Sequence, residues 1–309
     1  MANPSTESAN PAVQESPWRG HAALLVVQLC FGLFPLFAKL AGEGFTPKAM
    51  AVWRIAVGSL VLGTLAVVFY GRRAVPARGD LLQIGVLALL GVVLNQVLAL
   101  EGIALSTSVN AGLMMTLIPV FTFGLAGLVG QERLAPLRAV GLVVALGGAL
   151  LLQLQGSGAG GGPNVLLGNL LMALNCFSYA CFLVMARRFL RRHPPLVVIA
   201  WTYVASLWTL PLLGYGQSLW PEGAGDVAWR GLVLLLLFPT VLAYLLNTYA
   251  LSRVPASVTA IYIYLQPLIA GVAGVALLDE PFEPVMLAAA ALMFVGIALV
   301  TRRPKAAGV

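Results

Sequence analysis

The residues of this sequence that can do chemistry are amides, phenols and one guanidinium, each set among aliphatic side chains. Gln28, Arg54, Asn95, Asn110, Asn175, Tyr179, Tyr244, Asn247, Tyr262 and Gln266 are the candidates for holding a polar solute, with Gln96, Tyr203 and Tyr264 of the same kind. Amides and phenols hydrogen-bond both ammonium and carboxylate groups without adding net charge, and aromatic faces receive a cation or an apolar side chain. Catalytic sets are missing from the pattern. His21 and His193 fall at the ends of apolar runs, and no acid pair lies inside one, so neither an intramembrane enzyme nor a metal or cofactor site is expected. Cys30, Cys176 and Cys181 are odd in number and all lie in apolar runs, which fits packing rather than disulfides or zinc.

Tyr262 and Gln266 form the leading pair. They are four residues apart, so on a helix they share a face. Pro267 follows directly and has no N–H, which predicts a freed carbonyl at Ile263, one turn back. Inside a membrane such a carbonyl is tolerated where neighbours or a wet cavity satisfy it. Pro119 is expected to act likewise, with Met114 and Ile118 at the matching positions. The alternative is that these polar residues pair between helices for packing. Asn175 and Tyr179 repeat the spacing of four, and Asn95 and Asn110 flank one short hairpin.

Arg54 is the fixed positive charge inside an apolar run, roughly 9 Å beneath Lys48 at about 1.5 Å per residue. Two readings stand. It pairs structurally with Glu101, the favoured one, or it faces a cavity and attracts a carboxylate. Glu101 is read as an interfacial carboxylate, with proton carriage as its alternative role. Lys39, near a helix end, is expected to snorkel and is given no role. Glu132 and Glu280 sit at helix ends as packing or capping groups.

The elements that must position these residues follow from composition. Of 309 residues, 60% are hydrophobic and 9% charged. Soluble domains carry about 25% charged residues, so a water-facing surface cannot be built. Runs of about 20 apolar residues match a bilayer core. Ten are expected: 21–41, 49–70, 81–103, 108–130, 137–155, 165–186, 195–216, 228–250, 256–278 and 285–301. Residues 1–18 read as a disordered tail and 302–309 as a basic one, with no signal-peptide cleavage pattern.

Charge placement orients the chain. With the N-terminus inside, fourteen Lys and Arg lie inside, Lys39, Lys48 and Arg230 lie outside, and Arg54 is in the membrane, so that 14 + 3 + 1 accounts for all 18. Both termini are then cytoplasmic. Clustering of Arg between apolar runs, rather than along a stripe, argues against nucleic acid.

The two halves, 19–155 and 165–301, resemble each other. Cys30-Phe31 recurs as Cys176-Phe177 and Ala104-Leu105-Ser106 as Ala250-Leu251-Ser252, each 146 residues on. Trp53 matches Trp201, Pro119 matches Pro267 and Glu132 matches Glu280, each 148 on. Five crossings per half is odd, so the second half must insert upside down. The expected fold is therefore an all-α integral membrane protein of ten helices in two inverted-topology repeats, with a polar site near the midplane.

At Pro119 with Glu132, at Pro267 with Glu280, and in the Gly-rich helices AVGLVVALGGALLL and AAALMFVGIALV that follow, the chain resembles the EamA-type members of the drug/metabolite transporter superfamily. The stretch LNQVLALEGIALSTSVNAGLMMTLIPVFTFGLA is similar to the branch with plant-type metabolite exporters. The resemblance covers residues 21–301. It implies a central cavity lined by the first four helices of each half, and export of amino acids, amines or similar metabolites. The expectation is a multi-pass inner-membrane secondary transporter whose partners are a small metabolite and the lipid bilayer, with monomer and homodimer both open. A cationic drug exporter and a nucleotide-sugar or sugar-phosphate exchanger are the alternatives. The first would want an intramembrane acid, and the second several cavity Lys or Arg.

Overall fold

The computed structural model describes residues 17–130, 136–155, 164–190, 192–251, 262–263, 265–282 and 284–301, and every regular element among them is a helix. Glu132 and Tyr264 lie outside the described residues. The first half contains α1 (Pro17–Gly32), α2 (Phe34–Ala41), α3 (Pro47–Tyr70), α4 (Leu81–Ala88), α5 (Leu94–Leu105), α6 (Ser108–Met114), α7 (Leu117–Leu128) and α8 (Pro136–Gln155). The second contains α9 (Val165–Leu190), α10 (Pro195–Ala205), α11 (Leu210–Gly214), α12 (Asp226–Leu235), α13 (Ala243–Leu251), α14 (Leu265–Leu278) and α15 (Pro284–Thr301). Pro17 and Trp18, assigned above to the tail, belong to the first helix.

Among the described residues, seven stretches are long and apolar enough to cross a bilayer: Trp18–Ala41, Pro47–Ala74, Arg78–Leu105, Ser108–Leu128, Val165–Ala186, Pro195–Gly214 and Asp226–Asn247. Shorter apolar helices, Ala139–Gly148, Leu265–Leu278 and Pro284–Gly296, stand where the fifth, ninth and tenth spans are expected. Their outward faces carry large aliphatic side chains, with Leu60 and Val272 each 70% exposed. Surfaces this apolar meet lipid rather than water. The chain is a multi-pass membrane protein.

Local sequence sets the helix ends. Thr46 accepts the N–H of Ala49 at 3.2 Å and Pro47 opens α3, while Gly71 closes it at φ 53°, a conformation that suits a residue without Cβ. Thr107 caps α6 through the N–H of Asn110 at 3.1 Å, so the third-to-fourth connection shrinks to Ser106–Thr107. Two of the long rods are widened rather than broken. Leu89–Val93 joins α4 to α5 as a π turn, and Leu236–Leu242, containing Pro239, joins α12 to α13. Their starts are 147 residues apart, between the two offsets of the sequence repeat.

Packing follows the same pairing. α3 lies on α10, α6 on α14 and α8 on α15; α1 packs on α13 and α14, as α9 packs on α5 and α7. Met50, Leu100 and Met114 of the first half are buried in one cluster with Met172, Cys176 and Leu235 of the second. Close crossings use glycine: a Cβ on Gly168 would stand 2.8 Å from the Gly102 carbonyl oxygen. Gly148 and Gly274 are likewise crowded. Gly147 and Gly271 face open space, and so do not serve a helix contact.

Candidate functional site

The side chain that organises the site is Thr240. Pro239 has no N–H, so the carbonyl of Leu235, four residues back, loses its helical donor. The Thr240 hydroxyl donates into that carbonyl at 2.9 Å, inside the π turn. Its oxygen is thereby aimed across the seam between the halves and accepts the Nε–H of Arg54 at 3.0 Å. The guanidinium carbon also lies 4.7 Å from the centre of the Phe34 ring, a cation–π contact.

Arg54 is only 5% exposed. The ion pair with Glu101 is not formed: among the described residues no carboxylate lies within ion-pair distance of the guanidinium, and its hydrogen bond goes to Thr240. The neutral hydroxyl of Thr240, within the π turn, stands at the guanidinium where an acid was anticipated. A buried charge without a counter-ion costs several kcal/mol.

Tyr203 extends the group. Gly58 is one helical turn from Arg54 on the same face of α3, and its missing Cβ admits the Tyr203 ring; a Cβ there would stand 2.4 Å from Tyr203 Cε1. The Ser59 hydroxyl donates to the Tyr203 carbonyl at 2.7 Å, and Gln96 Nε2 donates to the Tyr203 hydroxyl at 3.1 Å. Gln96 is 2% exposed and, among the described residues, its Oε1 has no partner. Tyr244 meets Tyr203 edge to face with centroids 5.6 Å apart, and Phe31 meets Tyr244 at 5.9 Å. Tyr179 stacks on Phe182, and Asn247 is half-buried one turn beyond Tyr244 on α13. Both halves thus contribute to one polar and aromatic group.

The leading pair forms a second group beside α1. Gln266 Nε2 donates to Gln28 Oε1 at 2.6 Å, and the Tyr262 hydroxyl is hydrogen-bonded to His21 Nδ1 at 2.9 Å. The Ile263 carbonyl is not free, contrary to the sequence expectation. It accepts the N–H of Gln266 at 3.0 Å, because the chain tightens by one residue ahead of Pro267. Met115 does the same before Pro119, accepting from Ile118 at 3.1 Å.

Asn95, Asn110 and Asn175 stand apart from both groups. Asn175 Nδ2 donates to the Asn95 carbonyl at 2.5 Å, which ties α9 to α5. Asn110 belongs to a third cluster in which Ser106 donates to Asn169 Oδ1 at 2.7 Å and Lys39 donates to the Ser106 carbonyl. Lys39 therefore holds a connection in place rather than merely snorkelling. Glu280 caps α6, accepting the N–H groups of Ser108 at 2.8 Å and Val109 at 3.2 Å.

Sequence reasoning missed Thr240 and Phe34 and did not single out Tyr203 or Gln96. The signal was present in Pro239-Thr240, a proline followed by a hydroxyl within an apolar run. An apolar cavity of about 670 Å³, lined by Gly63, Val67, Val75, Ile84, Trp201 and Val204 among others, lies between α3, α4 and α10 and contains none of the candidate residues. Arg54, Gln96, Tyr203, Gln28 and Gln266 are all buried, so the polar groups are closed off in this conformation.

The profile of the EamA-like transporter family matches residues 18–154 and again 166–302. Relatives include the uncharacterized transporter YdfC of Bacillus subtilis (strain 168), 29% identical over 74% of this chain and 73% of that protein. YetK of the same organism is 26% identical over 96% of this chain and 89% of that protein. The WAT1-related protein At2g37460 of Arabidopsis thaliana is 29% identical over 59% and 55%, in keeping with the plant-type branch. A solved crystal structure shares the fold with a TM-score of 0.62 at 19% identity, over 92% of this chain and 96% of that one. With one copy of the profile in each half, this chain belongs to the EamA-like transporter family.

Proposed function

We propose that this protein is a secondary transporter that exports amino acids or related small metabolites across the cytoplasmic membrane by alternating access. The observation that carries the reading is the buried set Arg54, Thr240, Tyr203, Tyr244 and Gln96, drawn from both halves onto one seam. Polar groups are costly inside a bilayer unless they are paired or used. Among the described residues, this charge has no counter-ion and the Gln96 amide oxygen has no donor. The Gln28–Gln266 pair ties α1 to α14 and the His21–Tyr262 pair ties α1 to the chain ahead of α14, and their rupture would free α1 on that side.

The proposed topology is ten crossings in two inverted repeats with both termini in the cytoplasm. The reciprocal helix packing, α1 on α13 and α14 as α9 on α5 and α7, supports it. So does the presence of a π turn in each half. Alternating access would then exchange the packing of the two halves about their seam.

Efflux of radiolabelled amino acids from proteoliposomes tests the reading. Saturable flux, reduced by substitution at Gln266 and Tyr262 in folded protein, is the expected result. Absence of saturable flux for any amino acid, amine or organic acid would remove it.

A further inference from the structure

We infer that the Arg54–Tyr203–Gln96 line reads the two ends of a zwitterion, with the guanidinium taking a carboxylate and Gln96 Oε1 taking an ammonium group. This rests on the transporter reading above and names the substrate's chemistry at that site.

The charge is the first ground. Among the described residues, the one hydrogen bond of Arg54 runs from Nε to Thr240, and no carboxylate neutralises it. The planar fork of a guanidinium offers its Nη groups to a carboxylate in bidentate form. Phe34 covers one face of the fork, and Thr240 occupies its inner edge, so an incoming anion is directed to the remaining edge.

The orphaned acceptor is the second ground. Gln96 spends its Nε2 on the Tyr203 hydroxyl, which leaves Oε1 buried and unpaired. A buried amide oxygen without a donor is rare unless a ligand or water completes it. An ammonium group completes it with an N–H, and carries the charge opposite to that required at Arg54.

The two ends belong to one site. Tyr203 bonds Gln96 directly, while its ring rests on Gly58, one turn along the same face of α3 as Arg54. Phe34 lies against the guanidinium, and Phe31, Tyr244 and Tyr203 follow one another edge to face, rings that suit an apolar or aromatic side chain. An organic cation finds a like charge at Arg54 and is rejected. A plain carboxylate satisfies Arg54 and leaves Gln96 orphaned.

The test uses full-length protein in detergent and in proteoliposomes, with leucine and phenylalanine, their methyl esters and their N-acetyl derivatives. In thermal unfolding the free amino acids should raise Tm, the N-acetyl derivatives should require about tenfold higher concentration for the same shift, and the esters should do nothing. Gln96→Leu should erase the difference between free and N-acetyl forms. Arg54→Gln should abolish the shift for every carboxylate, and Arg54→Lys should restore part of it. Esters stabilising the wild type as well as the free acids would overturn the inference, whether or not the variants fold. Flux that ignores the carboxylate would overturn it while leaving the transporter reading intact. A carboxylate-dependent Tm shift without flux would do the reverse.

Discussion

Trp53 and Trp201 are reciprocal. Trp53 Nε1 donates to the Leu219 carbonyl at 3.0 Å and Trp201 Nε1 to the Ala74 carbonyl at 2.6 Å, so each helix of the central α3–α10 pair is pinned to a connection of the other half. The two residues also match in the sequence repeat. Around them sit different neighbours: Trp53 packs on Trp220, and Trp201 on His193 and Phe189.

Replacing Trp201 by Phe should cost about 1–3 kcal/mol, the penalty for a buried carbonyl left without its donor, and replacing Trp53 should cost less, because its bond to Leu219 is only partly buried. The sites share no partner, so the double variant should lose roughly the sum. Thermal unfolding in a single detergent measures this. A double variant no less stable than the singles would show that the two anchors are not independent.

Gln28 and Gln266 should behave in the opposite way. Either Leu substitution strands a buried amide, at about 1–3 kcal/mol, whereas the double substitution removes both partners and should fall well short of the sum. A double-mutant cycle reads the coupling. Transport in the double variant then separates site from packing, because a packing pair would tolerate the exchange with flux intact.

Gly58→Ala places a Cβ against the Tyr203 ring and should destabilise by about 1–3 kcal/mol through overpacking. Gly147→Ala, at a position open to space, should be neutral or slightly stabilising. Equal effects at the two positions would contradict the packing described for α3 on α10.

Glu280→Ala removes the carboxylate that holds the N–H groups of Ser108 and Val109 at the start of α6. The expected loss is about 0.5–2 kcal/mol, the usual worth of a helix cap. Hydrogen exchange at those two amides should rise while that of α3 stays unchanged.

Much of the architecture is legible in the residue string because its markers are rare. Trp, Pro and Glu at a fixed offset among Leu, Val and Ala are sufficient to reveal two related halves. The site is less legible. Gln28 and Gln266 are 238 residues apart, and no local pattern says that their helices touch. Arg54 invited an acid at similar depth, and Glu101 satisfied that rule. It fails because Thr240, held in the π turn of a helix from the other half, meets the guanidinium instead. The Ile263 carbonyl was misjudged for a similar reason: the backbone tightens ahead of Pro267 and reuses the acceptor locally.

The π turns have a consequence for angular phase. Each holds a surplus residue in its helix, and one residue of an α-helix corresponds to about 100° of azimuth at 3.6 residues per turn. Deleting a single residue from Leu89–Val93 or Leu236–Leu242 would leave a regular rod of nearly the same length, yet would swing everything beyond it by that angle. Gln96 would leave Tyr203 in the first case, and Tyr244 would leave Tyr203 in the second. The bearing of these side chains is thus held by an excess of backbone, present in each half.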